Sequence, residues 1–564
     1  MTMRVRAGVL AAAALLLAGA AVGCDSGTDR AGTDGKNTAR PSASEAAPGK
    51  AAPSKPGEPA LPAALTGQQL DWKRCKAPVK ARGSYAQTPG KEWQCALLRA
   101  PLDYQKPTGE TIGIALIRAK ALDADKRIGS LIFNFGGPGG SGVAGLPGSA
   151  EGFKNLHSRY DLVSFDPRGV AESAAVVCRD SKQSAASFQL DFTPDTPAEE
   201  KAYLEDSTAF GAGCAKKSGK VLPHVGTTNA ARDMDLIRQV LGDDKLHYLG
   251  FSYGTELGGV YAHLFPARVG RLVLDAVVDP SADYPGHSRN QALGFQRALE
   301  NYFKSRGIGA KDGTARVVKL LDRLDRKPLP TTQGRTLTQS LALTGIITPL
   351  YSKDEWQSLT KALDEADRGY GSRLLLMAES YNGRDEDGSY GTQDHSQRAI
   401  SCADTTGRVT AAEVKSRHLA EFTKVSPVFG PYLAWDLAGW CANWPVPGEW
   451  ETPEVAAEGA APILVVGTTG DPATPYEGAK KMADELGAGV GVLLTNKGEG
   501  HGAYGNGACV TGTVDAYLLD GKVPANGKTC GQLSTAARRA LDRHSGPGPS
   551  TLASVDRQVR PLAA

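Results

Sequence analysis

The chain has 564 residues, 41% of them hydrophobic and 22% charged, which is the balance of a globular protein rather than a disordered or fibrous one. The formal net charge is +3, so no electrostatic footprint for nucleic acid is present. The length exceeds a single small core and calls for several domains, or for one large domain with an insertion.

Residues 1–24 read as a leader. Arg4 and Arg6 are followed by an apolar run over 8–22 that is short for a membrane span. The run ends in "AAVGC", a lipobox-like ending that makes Cys24 the candidate lipidation site of a lipoprotein signal peptide. Ala21 is unusual at the first lipobox position, so an ordinary signal peptide with a chance cysteine is the alternative. Acyl chains on Cys24 would hold the protein on a membrane surface without a spanning helix. The expected location is therefore outside the cell, as a membrane-anchored lipoprotein or a secreted protein. Residues 25–60 are Ala, Pro, Gly, Ser, Thr and Lys with almost no large apolar side chains, the composition of a disordered tether.

The chain has nine cysteines, and Cys24 leaves eight, an even number in an exported chain, so disulfides are expected. The sequence leaves the connectivity open, and sequence-near pairs are the natural choice: Cys75–Cys95, Cys178–Cys214, Cys402–Cys441 and Cys509–Cys530. No CxxC pair occurs, which argues against a zinc or redox site, and no metal is expected.

From residue 61 the composition becomes globular. "TIGIALIRAKA" (111–121) alternates like a strand. "GSLIFNFGGPGGSG" (129–142) is an apolar strand entering a glycine-rich loop, and "YDLVSFDPRG" (160–169), "KLHYLGFS" (245–252) and "VGRLVLDAVVDP" (269–280) are further buried strands. They alternate with helical stretches such as 227–241, a rhythm that predicts a mostly parallel sheet with helices on both faces. Residues 282–455 break the rhythm with helical patterns, among them the basic stretch "RVVKLLDRLDRK" (316–327), a solvated helix. Strands resume at "APILVVGTTGDPATP" (461–475) and "GVGVLLTNKGEGHG" (489–502). The expected organisation is an α/β core over 61–281 and 456–535, a helical lid over 282–455 inserted between its strands, and a tail over 536–564.

Gly250-Phe251-Ser252-Tyr253-Gly254 is a G-x-S-x-G match that follows a buried strand and opens a helix. A nucleophile elbow needs that setting: the glycines remove side chains where strand and helix pass closely, and the turn lifts the Ser252 hydroxyl above the sheet. A glycine-rich turn with no chemistry is the alternative. A serine nucleophile needs a base, and the base an orienting acid, which on α/β-hydrolases follow in the order Ser, acid, His. Asp471 lies just past "PILVVGTTG", and His501 just past "VGVLLTN". Both would emerge at the sheet edge where Ser252 emerges. Of the nine histidines only His501 has this position; His263 falls on the helix after Ser252 and His247 inside a strand. Asp471 also reads as a helix cap in "DPATP", and Thr474 is placed to steady that loop.

An oxyanion hole would take the Tyr253 N–H and a second N–H from "GGPGGSG" (136–142), from Gly136 or Gly137, with Gly137 preferred. No Gly-Lys-Ser/Thr follows that loop and its spacing is not a dinucleotide fingerprint, so no cofactor is expected.

Taken together, "GGPGGSG", "FDPRGV", "GFSYGTELGGVYAHLFP", "RLVLDAVVDP", "CANWP" and "GTTGDPATP…GHG" resemble the secreted tripeptidyl aminopeptidase family of actinobacteria, prolyl aminopeptidase-like α/β-hydrolase serine peptidases with a characteristic C-terminal segment. The resemblance runs from about residue 70 to 530. It implies an α/β-hydrolase fold, the triad Ser252, Asp471 and His501, and release of short peptides, often tripeptides, from a free N-terminus. Ala171, where relatives often have glycine, and Phe135, where proline is common, depart from the pattern. Neither carries the chemistry.

The implied substrate needs an acid at the closed end of the pocket to hold its ammonium group. Asp404, Glu256 and Asp279 are the candidates, Asp404 with Cys402 close by to pin it. Each also reads as a surface acid or helix cap. Trp440 and Trp444 would wall the pocket, or pack the lid core. The expected partners are peptides with a free N-terminus and, through Cys24, a membrane surface, but no nucleic acid, and the chain is expected to be a monomer. An exported esterase or amidase would use the same triad without the ammonium site. A non-catalytic surface lipoprotein on the same scaffold is the third reading, disfavoured by the intact Ser, Asp, His order.

Overall fold

The computed structural model describes residues 59–76, 89–332 and 334–531. The leader with Cys24, the tether up to residue 58 and the tail from 532 lie outside the described residues. Twelve strands are present among the described residues: β1 (Lys73–Arg74), β2 (Gln94–Pro101), β3 (Thr111–Ala119), β4 (Gly129–Asn134), β5 (Tyr160–Phe165), β6 (Leu246–Phe251), β7 (Val269–Asp275), β8 (Leu329–Pro330), β9 (Thr336–Leu337), β10 (Ile463–Gly470), β11 (Gly491–Glu499) and β12 (Lys528–Gly531).

Ten of them form one sheet in the order β1-β2-β3-β5-β4-β6-β7-β10-β11-β12, and β8 with β9 make a separate small hairpin. Pairing is antiparallel from β1 to β5 and parallel from β5 onward. The sequence explains the division. β4 "GSLIFN" and β5 "YDLVSF" are buried at every residue, as strands covered on both faces must be. β2 mixes exposed and buried positions, as an antiparallel strand with a wet face does.

One face of the sheet packs against the helices Thr227–Val240, Tyr253–Leu264 and Tyr476–Glu485, through residues such as Met234, Leu257 and Met482. The other packs against Gly142–Ser149 and Ala508–Asp520 through Leu146, Val514 and Leu518. The fold is an α/β-hydrolase fold, a mostly parallel sheet between two helical layers.

The helical block is inserted between strands that lie side by side: Val273 of β7 pairs with Leu464 of β10, and Asp275 with Val466. Its helices run from Tyr284–Ser305 to Gly430–Gly439 and close on a core of their own, including Phe295, Leu299, Ile346, Leu359 and Leu433. In the helix Ala310–Arg326, Val317, Leu320, Leu321 and Leu324 bury one stripe at helical spacing while the basic residues stay outside it.

Among the described residues four disulfides close the chain: Cys75–Cys95, Cys178–Cys214, Cys402–Cys441 and Cys509–Cys530. The two central ones span 36 and 39 residues. In the chain-entropy account a loop of that length restricts the unfolded state by about 4 kcal/mol. Bonds of this kind persist in oxidising compartments.

Candidate active site

β4 lies between β5 and β6, so the chain leaves β4 to one side and returns across it to the other. A crevice opens at the C-terminal ends of the strands where the order reverses in this way. The glycine-rich loop follows β4, and Ser252 follows β6 directly.

Ser252 has φ +55° and ψ −128°, a conformation that side-chain-bearing residues rarely adopt. Three hydrogen bonds hold it there. Its N–H donates to the Asp275 carbonyl at 3.1 Å, and its carbonyl accepts the Thr255 N–H at 2.8 Å and hydroxyl at 2.7 Å. The flanking glycines answer to close approach. A Cβ on Gly250 would stand 2.4 Å from the Gly254 carbonyl oxygen, and one on Gly254 would stand 2.7 Å from the Asn134 carbonyl oxygen. The G-x-S-x-G pattern is therefore a packing requirement of a strand, a turn and a helix in contact.

Asp471 and His501 come together across β10 and β11. His501 Nδ1 lies 2.9 and 3.1 Å from the two Asp471 carboxylate oxygens. The Asp471 carboxylate also accepts the N–H groups of Ala473 (3.0 Å), Thr474 (2.9 Å) and Gly502 (3.3 Å). It thus caps the turn that follows β10 while it faces the imidazole. The Thr474 hydroxyl stands 3.3 Å from Nδ1. Nε2 is buried with no hydrogen-bond partner among the described residues, so no bond to Ser252 is made. Ser252, Asp471 and His501 are each 3% exposed.

Tyr253 opens its helix, so its amide has no acceptor within the helix. Of the two glycine amides, that of Gly136 is taken by Asn134 Oδ1 at 2.9 Å, while that of Gly137 donates to no described residue. The loop is held by Asp166 of "FDPRG", which accepts the Ser141 hydroxyl at 2.6 Å and the N–H groups of Val143 and Glu172 at 3.1 Å. Burial pushes the Asp166 carboxyl up to about 6. Arg168 of the same motif is fully buried and grips Asp233 through two bonds of 2.7 Å. Neither residue stands out in the sequence as part of a site.

Asp275 is a further residue that sequence reasoning missed. Its carboxylate accepts the N–H groups of Ala503 (3.0 and 3.1 Å) and Tyr504 (2.7 Å), two and three residues past His501. A charged residue inside the apolar run "RLVLDAVV" was the available signal. The lid also reaches the site: the Tyr351 carbonyl accepts the His501 N–H at 2.9 Å, and the Tyr351 ring meets the imidazole edge-on at 5.5 Å.

A cavity of about 110 Å3 opens at Ser252, with Gly137, Tyr253 and Thr474 in its wall. Glu256, Asp279, Asp283, Asp404 and Glu451 also line it, and no Lys or Arg does. These acids differ in what they already hold. Asp404 takes the Thr227 N–H and hydroxyl, both at 2.7 Å, and so caps the helix Thr227–Val240. Asp279 is paired with Lys481 at 2.8 Å, and Asp283 caps the helix Tyr284–Ser305. Glu256, one turn beyond Ser252, makes no hydrogen bond or ion pair among the described residues, and burial pushes its carboxyl up to about 7.

The tryptophans are elsewhere. Trp440 lines a different cavity, beside Arg398 and Asp436, because its carbonyl is taken by the Arg398 guanidinium and Cys441 is bonded to Cys402. Trp444 is buried against Phe210. Neither walls the Ser252 cavity.

A model of the TAP-like protein family matches residues 426–530, and one of the α/β-hydrolase fold matches 129–308. The chain is 37% identical over 488 residues to the serine protease Hip1 of Mycobacterium tuberculosis, covering 82% of this chain and 91% of the relative. It is 30% identical over 494 residues to the tripeptidyl aminopeptidase of Streptomyces lividans, covering 83% and 87%. It is 34% identical over 497 residues to carboxylesterase B of M. tuberculosis, covering 84% and 93%. On a sheet, elbow and C-terminal segment of this kind, and on identity extending over nearly the whole of such relatives, the chain belongs to the TAP-like family of α/β-hydrolases.

Proposed function

We propose that the protein is an exported serine peptidase that releases short peptides, such as tripeptides, from free N-termini. Ser252 attacks the scissile carbonyl as His501 Nε2 takes its proton, and Asp471 holds Nδ1–H and supports the imidazolium. The amides of Tyr253 and Gly137 receive the oxyanion. His501 then gives its proton to the leaving amine, and water cleaves the acyl-enzyme through the same groups. The observation that carries the peptidase reading is the wall of the Ser252 cavity, which bears carboxyls and no Lys or Arg, with Glu256 free of any partner. An ammonium terminus is the ligand that such a wall lacks. The serine protease and tripeptidyl aminopeptidase relatives support the same reading. Four disulfides support export, and Cys24 is the proposed lipid anchor.

The carboxylesterase relative favours a second reading, an esterase on small acyl substrates. Residues 61–564, folded under oxidising conditions, are assayed on matched Ala-Pro-Ala-chromophore substrates, one with a free amine and one N-acetylated, beside Ser252→Ala. Release only from the free amine, lost in the variant, is the expected result. Equal cleavage of both removes the ammonium site, and turnover of simple esters alone moves the assignment to esterase.

A further inference from the structure

The cavity that holds Trp440 is separate in its lining from the Ser252 cavity and has its own chemistry. Phe188, Phe192, Phe210, Tyr203 and Tyr432 supply aromatic walls. Two guanidinium groups approach the Phe210 ring, Arg179 at 4.8 Å and Arg398 at 4.4 Å from its centre. Arg179 is matched by Asp206 at 3.3 Å and Asp394 at 3.7 Å. Arg398 spends its donors on carbonyls, those of Gly439 (2.7 Å), Ser207 (3.2 Å) and Trp440.

Asp436, from the helix Gly430–Gly439, is the lining acid left over. It is 5% exposed, and its Oδ2 has no hydrogen-bond partner among the described residues. The lining therefore carries three carboxylates against two guanidinium groups, an excess of one acid. Trp440 Nε1 is likewise buried without an acceptor. An orphaned buried acceptor and donor are each costly, and a ligand that satisfies both recovers that cost. Asp436 asks for a cationic donor, Trp440 for an acceptor, and the aromatic walls for an apolar body.

From this match we propose that the cavity is a second ligand site, for an α-ammonium group with a carbonyl beside it and an aromatic or large aliphatic side chain. That is the chemistry of an amino-acid amide or of the first residue of a peptide. The ammonium group donates to Asp436, the carbonyl accepts from Trp440 Nε1, and the side chain lies among Phe188, Phe192 and Tyr432. Burial pushes the Asp436 carboxyl up to about 7, with Arg398 acting against it, so a bound cation would draw it back to the ionised form. The two cavities touch through Tyr284. It lines the Ser252 cavity, and its hydroxyl donates to the Asp436 carbonyl at 3.2 Å. The site stands whether or not Ser252 acts on peptides.

The test uses the full-length chain carrying Ser252→Ala, titrated calorimetrically with L-phenylalaninamide, with Phe-Ala-Ala and with N-acetyl-phenylalaninamide. The expected result is binding that needs the free amine and weakens about tenfold or more when Asp436→Asn is added. Trp440→Phe is a second variant that keeps an aromatic side chain, though a smaller one, and removes the donor. It is expected to weaken the same binding. Adding Glu256→Gln instead reports on the Ser252 cavity and should leave the Asp436-dependent binding in place. Binding of phenylalaninamide alone assigns a single-residue ligand and binding of both probes a peptide terminus; either upholds the site. Equal binding of the acetylated probe, no amine binding at all, or binding unchanged in both Asp436→Asn and Trp440→Phe overturns it.

Discussion

Asp275 ties Ser252 to the segment that carries His501. Its carbonyl accepts the Ser252 N–H at 3.1 Å, and its carboxylate accepts the amides two and three residues past His501. One residue of β7 thus sets the position of two elements that lie far apart in the chain's order. Burial pushes the carboxyl up to about 6, and neighbouring Asp471 adds to the rise. In Asp275→Asn one of the oxygens that faces these amides becomes an NH2 group. The expected outcome is a fall in kcat of about tenfold to a hundredfold with little change in KM, since a displacement of about 1 Å at a reacting group costs that much. Hydrogen exchange at Ala503 and Tyr504 should speed up in the same variant.

Glu256 predicts a pH dependence. Burial pushes its carboxyl up to about 7, and only the ionised form attracts an ammonium group. For free-amine substrates kcat/KM should rise with pH through about 7, and Glu256→Gln should remove that limb. The sign for stability is opposite. A carboxyl raised on folding binds more protons in the native state between the unfolded value near 4.5 and about 7, so its contribution falls as pH rises through that window. Glu256→Gln should therefore gain on the wild type by up to about 3 kcal/mol at pH 8 and by nothing at pH 4. Denaturant unfolding at the two pH values measures this.

Ser252 stores backbone strain at φ +55°. Ser252→Ala and Ser252→Gly should both be inactive, and the glycine variant should be the more stable of the two by about 1 kcal/mol, because glycine adopts the turn at no steric cost. Equal melting temperatures would remove strain from the account of the turn.

Asp404 and Glu256 line one cavity yet should behave differently. Asp404→Asn leaves a Thr227 donor poorly paired at a helix start, so a loss of about 1–3 kcal/mol is expected with KM for free-amine substrates little changed. Glu256→Gln should do the reverse, raising KM without that loss. A Cys402→Ser, Cys441→Ser pair should lower stability by about 4 kcal/mol through the 39-residue loop it opens. Calorimetry and steady-state kinetics on the three variants separate these effects.

What was legible in the sequence is what depends on neighbours along the chain. Apolar runs marked the buried strands, because a strand covered on both faces must be apolar throughout, as β4 and β5 are. Gly250 and Gly254 marked the turn at Ser252, because no side chain fits where strand and helix touch. Cysteines close in sequence marked the four disulfides. Tertiary structure alone decided that Asp404 and Asp279 are occupied while Glu256 is not, since their partners lie 177 and 202 residues away. It also placed Trp440 on the second cavity, joined Asp275 to the His501 segment and left Asp436 with an unpartnered oxygen. A carboxylate reads the same in any sequence; whether it caps a helix, pairs with a lysine or waits for a cation is set by groups that only folding brings within hydrogen-bond reach.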